Sequence, residues 1–330
     1  MKKTSNYKLN SIDKFKKLKI IMRYLITGGA GFVGSHLAEY LISLKHDVIV
    51  ITKNQINNIE HIKKDLKIEK LDVTNYIKIK NCILKHKPDT IIHLAGNTSH
   101  SKSFENPLDD LKSNVQSTLN ILEILRQFLP SCKFVLGSTF VVIGKPSKLP
   151  VDEQTPCQPT TLYGANKLTS EYYTKIYNQV FDLNTKIFRI TNSFGPREKI
   201  IPNKNAVNYL IYKAFKNEEI SIYNDGKFFR DLIYISDVVS GIEKILTKGK
   251  SGELYWICSS KKTWFYQLGN QLEKISNSKI KYVNPPTYTK KVDVGNFVVS
   301  NKKLKTLGWE PKISLKEGIK KTINYFQEYS

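Results

Sequence analysis

The segment Thr27-Gly28-Gly29-Ala30-Gly31-Phe32-Val33-Gly34 limits what this chain can fold into more than any other stretch. It stands between an apolar β-branched run over residues 24–27 and a helical pattern over 35–44. Glycine at 28 permits a tight turn, glycine at 31 lets the backbone approach a phosphate, and glycine at 34 lets helix and strand touch. Free N–H groups and the helix dipole then favour a pyrophosphate at the helix N-terminus. The strand-turn-helix setting makes Gly28, Gly31, Phe32, Val33 and Gly34 a dinucleotide-binding turn.

Further strand patterns follow at residues 47–52, 67–73, 90–94, 133–136 and 186–190, with helical stretches between them such as 115–128. Such alternation predicts an α/β protein with a Rossmann-type, doubly wound parallel sheet over residues 22–191. Beyond residue 192 the order loosens, with loops at 195–205 and 284–291 and a last helix over 315–326. Residues 192–330 therefore read as mainly a smaller C-terminal α/β substrate-binding lobe, interleaved with the sheet. Residues 1–21 carry Lys2, Lys3, Lys8, Lys14, Lys16, Lys17 and Lys19 against Asp13, and read as a flexible basic extension.

Charge and cysteines narrow the function. The 52 Lys+Arg against 29 Asp+Glu give a formal +23, which draws in anionic molecules. The excess is lysine, for Arg23, Arg126, Arg189, Arg197 and Arg230 are the only arginines, and base reading favours arginine, so no specific nucleic-acid partner is expected. Cys82, Cys132, Cys157 and Cys258 form no C-x-x-C pair, so no metal site is expected. No run approaches the roughly 20 apolar residues of a membrane span, and no signal peptide opens the chain. A cytoplasmic protein without membrane insertion is the expectation.

The second strand ends in Thr52-Lys53-Asn54, where a carboxylate for an adenosine ribose would normally stand. A hydroxyl, a cation and an amide suit a 2′-phosphate better, which keeps both NAD and NADP open. At the chemical end, Tyr163-Gly-Ala-Asn-Lys167 puts a phenol and an ammonium one helical turn apart. A phenol of ordinary pKa about 10 acts as a base near neutrality only if its phenolate is stabilised, by Lys167 and by the charge of an oxidised nicotinamide. The strand over 133–136 runs out through Gly137-Ser138-Thr139, placing the Thr139 hydroxyl at the sheet edge where it can relay a proton to Tyr163.

Taken together these motifs resemble the extended short-chain dehydrogenase/reductase family, in its sugar-nucleotide epimerase/dehydratase group, with a likeness to UDP-glucose 4-epimerases. Also similar are His93-Leu94-Ala95-Gly96, Arg189-Ile-Thr-Asn192-Ser-Phe-Gly195-Pro196-Arg197, Arg230-Asp231 and Leu307-Gly308-Trp309-Glu310-Pro311. The resemblance implies that Asp72 and Val73 flank an adenine, and that Leu94, Ala95 and Gly96 line the cofactor channel. It implies further that Asn114 braces the strand ends and that Lys167 also holds the nicotinamide ribose. On the substrate side it points to Asn192 and Arg230 for a diphosphate, Ile222 and Tyr223 for a base, and Asp293 for a ribose. A homodimer formed through two helices per subunit, over residues 115–128 and from about Tyr163, is implied as well.

This chain departs from the family in places. Phe140-Val141 follows Thr139 where dehydratases carry an Asp-Glu pair, which argues against 4,6-dehydration. Ile143 stands where a tyrosine is common, and Trp256 where asparagine is usual. The expected activity is NAD(P)-dependent epimerisation of a nucleoside-diphosphate sugar, at C4 through a transient ketone. The alternatives are an NADPH-dependent 4-ketoreductase and, from another class, a non-catalytic dinucleotide-binding scaffold or nucleic-acid-binding module.

Overall fold

Short apolar runs rich in valine and isoleucine lay down the strands of a central sheet. The computed structural model describes residues 21–53, 55–202 and 205–329, so the basic extension, apart from Ile21, falls outside the described residues. The chain forms β1 (Arg23–Thr27), β2 (Asp47–Thr52), β3 (Lys67–Lys70), β4 (Thr90–His93), β5 (Lys133–Thr139) and β6 (Thr185–Ile190). Then come β7 (Asn192–Phe194), β8 (Ile220–Tyr223), β9 (Phe229–Arg230), β10 (Leu232–Tyr234), β11 (Leu254–Ile257), β12 (Thr263–Trp264) and β13 (Ile280–Val283). Seven of these make one parallel sheet in the order β11-β6-β5-β4-β1-β2-β3. The rest pair in twos, β10 with β7, β12 with β9 and β13 with β8. The strand order reverses between β1 and β4, which opens a crevice at their carboxyl ends.

The helices that cover the sheet include α1 (Phe32–Ser43), α2 (Tyr76–His86), α3 (His100–Glu105), α4 (Pro107–Leu111), α5 (Ser117–Phe128), α6 (Leu162–Phe181), α7 (Ala206–Phe215) and α8 (Ile235–Lys248). Successive strand residues point to opposite faces, and the core divides accordingly. Leu25, Ile49, Ile91, Phe134 and Ile187 pack with Ile79 of α2 and Ile121 and Leu125 of α5. Their neighbours Ile26, Val50, Ile92, Val135 and Phe188 pack with Leu37 of α1 and Ile242 of α8. Both faces are therefore covered, as a doubly wound sheet requires.

The two cations that β6 brings into this core have partners. The Arg189 guanidinium on β6 forks onto Glu171 of α6, with Nε at 2.9 Å from Oε1 and Nη2 at 2.6 Å from Oε2. Ser138 of β5 donates to the same carboxylate at 2.5 Å. Lys186, also on β6, donates to the carbonyls of Ile245 and Leu246 at the C-terminal end of α8, where the helix dipole favours a cation.

Several boundaries differ from those the sequence suggests. Strand β3 ends at Lys70, short of residue 73, because Asp72 turns back to accept a hydrogen bond from Thr74 N at 2.9 Å. Strand β5 continues through Thr139, and α1 begins at Phe32, three residues before Ser35. The helix expected over 115–128 is preceded by a π-helical turn, Lys112–Gln116, that carries Asn114. A short helix, Thr287–Val292, occupies part of the loop expected at 284–291. Leu254–Ile257 becomes a seventh sheet strand that the sequence pattern does not reveal, since a four-residue apolar run fits helix or strand equally.

Removing Glu171 leaves Arg189 as an unpaired charge with 2% of its surface exposed. Glu171→Ala is expected to cost about 3–5 kcal/mol in urea unfolding, whereas replacing both partners with methionine recovers most of the loss.

Candidate active site

At the end of β1 the chain turns at Gly28 with a φ of 68°, a conformation that favours glycine. A side chain there would also collide with the segment after β4, since a Cβ would lie 2.9 Å from Ala95 N. At Gly34 a Cβ would lie 2.4 Å from the Gly28 carbonyl oxygen, so helix and turn touch. Gly31 precedes α1 without any side-chain cap, and the first helical turn carries no acid. The N–H groups of that turn are thus left for an anion.

Behind the turn lies a buried polar chain. Thr27 Oγ1 accepts from Leu94 N at 3.2 Å and Ala95 N at 3.1 Å, and contacts His93 Nδ1 at 2.7 Å. His93 Nε2 meets Ser117 Oγ at 3.2 Å, and that hydroxyl donates to the Ser113 carbonyl. These partners assign the His93 proton to Nε2, with Thr27 donating to Nδ1. Burial, helped by the Lys167 charge, lowers the His93 pKa to about 3, so the ring stays neutral. Sequence reading passed over this pairing of Thr27 with His93, although both residues stand in the motifs.

Where the segments after β2 and β3 meet, Lys53 Nζ lies 2.7 Å from Asp72 Oδ2. Asp72 also accepts from Thr74 N and Thr74 Oγ1, and although burial opposes it, Lys53 and Thr74 hold its carboxyl below the usual range. A carboxylate from the segment after β3 thus stands beside the end of β2. Thr52 is buried beside Lys53, and Asn54 lies outside the described residues.

At the chemical end, Thr161 caps α6 by accepting from Gly164 N at 3.0 Å, which places Tyr163 in the first turn. Tyr163 stands beside Thr139 at the tip of β5, near enough for that hydroxyl to favour its phenolate, and Lys167 follows one turn along α6. Tyr163 and Lys167 are buried, at 7% and 6% exposure. Burial raises the Tyr163 pKa above the ordinary phenol value, with Thr139 opposing and Asp110 adding to the rise. Burial also lowers Lys167 to about 8, against Glu171 and Asp110, which hold it up. The expected lowering of the phenol by Lys167 is not found in the protein alone, because desolvation dominates both groups.

Two more groups belong to this end. His100 stands edge-on to the Tyr163 ring at 5.5 Å. Asp110, 1% exposed, accepts from the amides of Asn97 at 2.6 Å, Asn114 at 3.2 Å and Asn166 at 2.7 Å. Asn114 thereby ties the π-turn to the loop after β4, and its Oδ1 leaves no room for a side chain at Gly96. The sequence offered no periodic or motif signal for Asp110, whose role depends on three amides brought in from other segments.

At the far end, the Arg230 fork engages Asp293 and the Gly295 carbonyl, and its guanidinium lies 5.0 Å over the Phe228 ring. Neither Asp231 nor Asp237 pairs with Arg230 as a sequence neighbour might. Asp231, fully buried, accepts from Ser259 N, Ser259 Oγ, Ser260 N, Val299 N and Thr191 Oγ1. Asp237 accepts from the N–H groups of Lys312 and Ile313. Asn192 presents a buried Oδ1 that has no hydrogen-bond partner among the described residues.

One cleft of about 2670 Å³ runs from the Gly28 turn past Lys53 and Asp72, over Thr139, Tyr163 and Lys167, to Asn192 and Arg230. Every described residue that the sequence reading gave a catalytic, cofactor or substrate role lines it, including Val73, Leu94, Gly96, Ile222, Tyr223 and Asp293.

The protein family described as GDP-mannose 4,6-dehydratase matches residues 25–322. The chain belongs to this family. It is an extended short-chain dehydrogenase/reductase of the sugar-nucleotide epimerase/dehydratase group, as its motifs indicate. A putative UDP-glucose 4-epimerase of Methanocaldococcus jannaschii is 33% identical over 312 residues, covering 92% of this chain and 98% of its own. The crystal structure of UDP-glucose 4-epimerase from Thermotoga maritima with UDP-glucose has a TM-score of 0.86 at 29% identity, over 93% of this chain and 99% of that one. UDP-glucose 4-epimerase of Thermus thermophilus in complex with NAD gives 0.85 at 26% identity, over 94% and 100%.

Extended short-chain dehydrogenases/reductases use a nicotinamide dinucleotide, and the residues here fit one. The uncapped helix N-terminus, the turn that a Cβ would block and the polar wall at Asp72 are the features such a ligand needs. Gly34→Ala is expected to push the turn off the helix and to weaken NADH binding by about tenfold or more, measured by fluorescence titration.

Proposed function

We propose that this protein is an NAD(P)-dependent epimerase of a nucleoside-diphosphate sugar, inverting C4 through a transient 4-keto intermediate. The observation that carries this reading is the Tyr163 phenol set beside the Thr139 hydroxyl and one helical turn from Lys167, buried midway along a cleft that reaches from the Gly28 turn to Arg230. A bound nicotinamide supplies the acceptor and donor of hydride.

The chain's own residues manage the proton and the orientation. Tyr163 takes the proton of the sugar hydroxyl and later returns it, while Thr139 holds that oxygen in line. Lys167 holds the nicotinamide ribose and adds positive charge. Because burial raises Tyr163, the phenolate forms only when positive charge enters beside it. Arg230 and Asn192 keep the diphosphate fixed while the ketone turns over, a role suited to a guanidinium fork. Residues 22–191 then serve mainly the dinucleotide and 192–330 mainly the substrate.

Phe140 and Val141 favour epimerisation over dehydration. Phe140 packs edge-on to Phe297 at 5.2 Å and Val141 is buried at the cleft wall, so no carboxyl stands next to Thr139 for removing water. A second reading, a 4-ketoreductase, draws on Lys53 at the adenosine end, which would serve an NADPH 2′-phosphate once released from Asp72. Assay with UDP-sugars separates the two. Epimerisation runs without stoichiometric cofactor and leaves a dinucleotide that denaturation releases, whereas matched NADPH oxidation would overturn it.

Tyr163→Phe is expected to lower kcat by about 10²–10⁴ while leaving NADH binding intact. Ultraviolet difference titration should find the Tyr163 phenol protonated well above neutral pH in the protein alone. Saturation with NAD should move its ionisation to lower pH, since positive charge favours the phenolate.

We also propose a homodimer through α5 and α6. Tyr172, Ile176 and Val180 of α6 lie one turn apart at 55%, 45% and 62% exposure, and Phe128 of α5 is exposed as well. Such a stripe is costly to leave in water. Ile176→Glu should halve the mass seen by light scattering without altering the far-ultraviolet circular dichroism.

A further inference from the structure

Away from the cleft, β3 and α2 bring three different metal-binding side chains to one point. Glu69 of β3 and Cys82 and His86 of α2 each present one ligand atom, and these atoms lie within 4.8 Å of one another. Among the described residues no other group of this kind occurs. Cys82 and His86 stand four residues apart and so share a helix face. His86 Nε2 already sits 2.6 Å from Glu69 Oε1. The point is sheltered, with Cys82 buried and the His86 side chain 10% exposed, yet the Glu69 side chain at 25% leaves a way in from solvent.

We infer that Glu69, Cys82 and His86 form a binding site for a thiophilic divalent cation of the zinc class. Sulfur, imidazole nitrogen and carboxylate oxygen together form a donor set that zinc accepts, with a fourth tetrahedral position for water. Hard cations such as magnesium prefer all-oxygen sites. On binding, the Cys82 thiol gives its proton to solvent as the metal–sulfur bond forms, and the His86–Glu69 hydrogen bond is exchanged for two metal bonds. Lys85 Nζ, 2.7 Å from Glu69 Oε1, must leave, and its side chain is 66% exposed and free to do so. Exposed pairs of this sort hold weakly. Without metal, burial and then Glu69 push the thiol up to about 12, which keeps it protonated and inert.

The position gives such a cation a structural consequence. Glu69 precedes the segment that carries Asp72 and Val73, and Cys82 follows it, so the metal would cross-link both sides of the adenosine end. This inference stands apart from the proposed reaction.

The test uses the full chain without an affinity tag, stripped with chelator and titrated with Co²⁺. One equivalent should bind with tetrahedral visible bands and a thiolate-to-cobalt charge-transfer band, and Zn²⁺ should displace it. Cys82→Ser should abolish the charge-transfer band. His86→Gln should weaken binding about tenfold or more while keeping the band. Lys85→Ala should tighten binding. Absence of a charge-transfer band in the parent protein would overturn the inference, as would a band that survives Cys82→Ser. If Cys82→Ser fails to fold, an unchanged affinity in His86→Gln overturns it equally.

Discussion

The cleft depends on how closely the turn at Gly28 approaches the end of β4. That contact leaves no space for a Cβ, and the Thr27 hydroxyl closes it by taking the N–H groups of both Leu94 and Ala95. The cost of so much buried polarity is offset because each group in the chain from Ser113 through Ser117 and His93 to Thr27 has a partner. Once β1 and β4 are held in this way, the crevice at the reversal of strand order has a fixed floor. Strand β5 then brings Thr139 to the next place along the same edge, and α6 lays Tyr163 over it.

Burial decides the electrostatics of that edge. Tyr163, Lys167 and Glu171 follow one another at intervals of one helical turn, and the Glu171 charge is already committed to Arg189. Desolvation therefore acts on the phenol and on the ammonium in the direction of their neutral forms. Asp110 lies close enough to affect both, but its oxygens are occupied by amides from Asn97, Asn114 and Asn166. A site of this kind is sensitive to any charge that enters it, because charges near buried groups are weakly screened.

Much of this could be read from the residues alone. The glycine turn, Tyr163 with Lys167, and Thr139 at a strand end rest on local spacing, and local spacing survives folding. Six of the seven sheet strands follow from β-branched runs for the same reason. The partnership of Thr27 with His93, the pairing of Arg230 with Asp293 and the reach of Asn166 to Asp110 join residues 66, 63 and 56 positions apart in the chain, which no periodicity reports. The pairing of Lys53 with Asp72 also depends on sheet order, since β2 and β3 are neighbours only once the sheet has formed. Leu254–Ile257 escaped notice because its position at the sheet edge is a matter of topology, not composition.

Asp231 gathers donors from Thr191, Ser259, Ser260 and Val299, so the exits of β6 and β11 and a late segment of the chain meet on one carboxylate. Arg230 is its immediate neighbour and Asn192 N bonds its carbonyl, so both inherit their positions from the sheet and not from surface loops. The Arg230 end of the cleft is in this sense part of the chassis. Variation among related chains in what this end accepts would then be confined to the rim, where side chains can change without disturbing the frame.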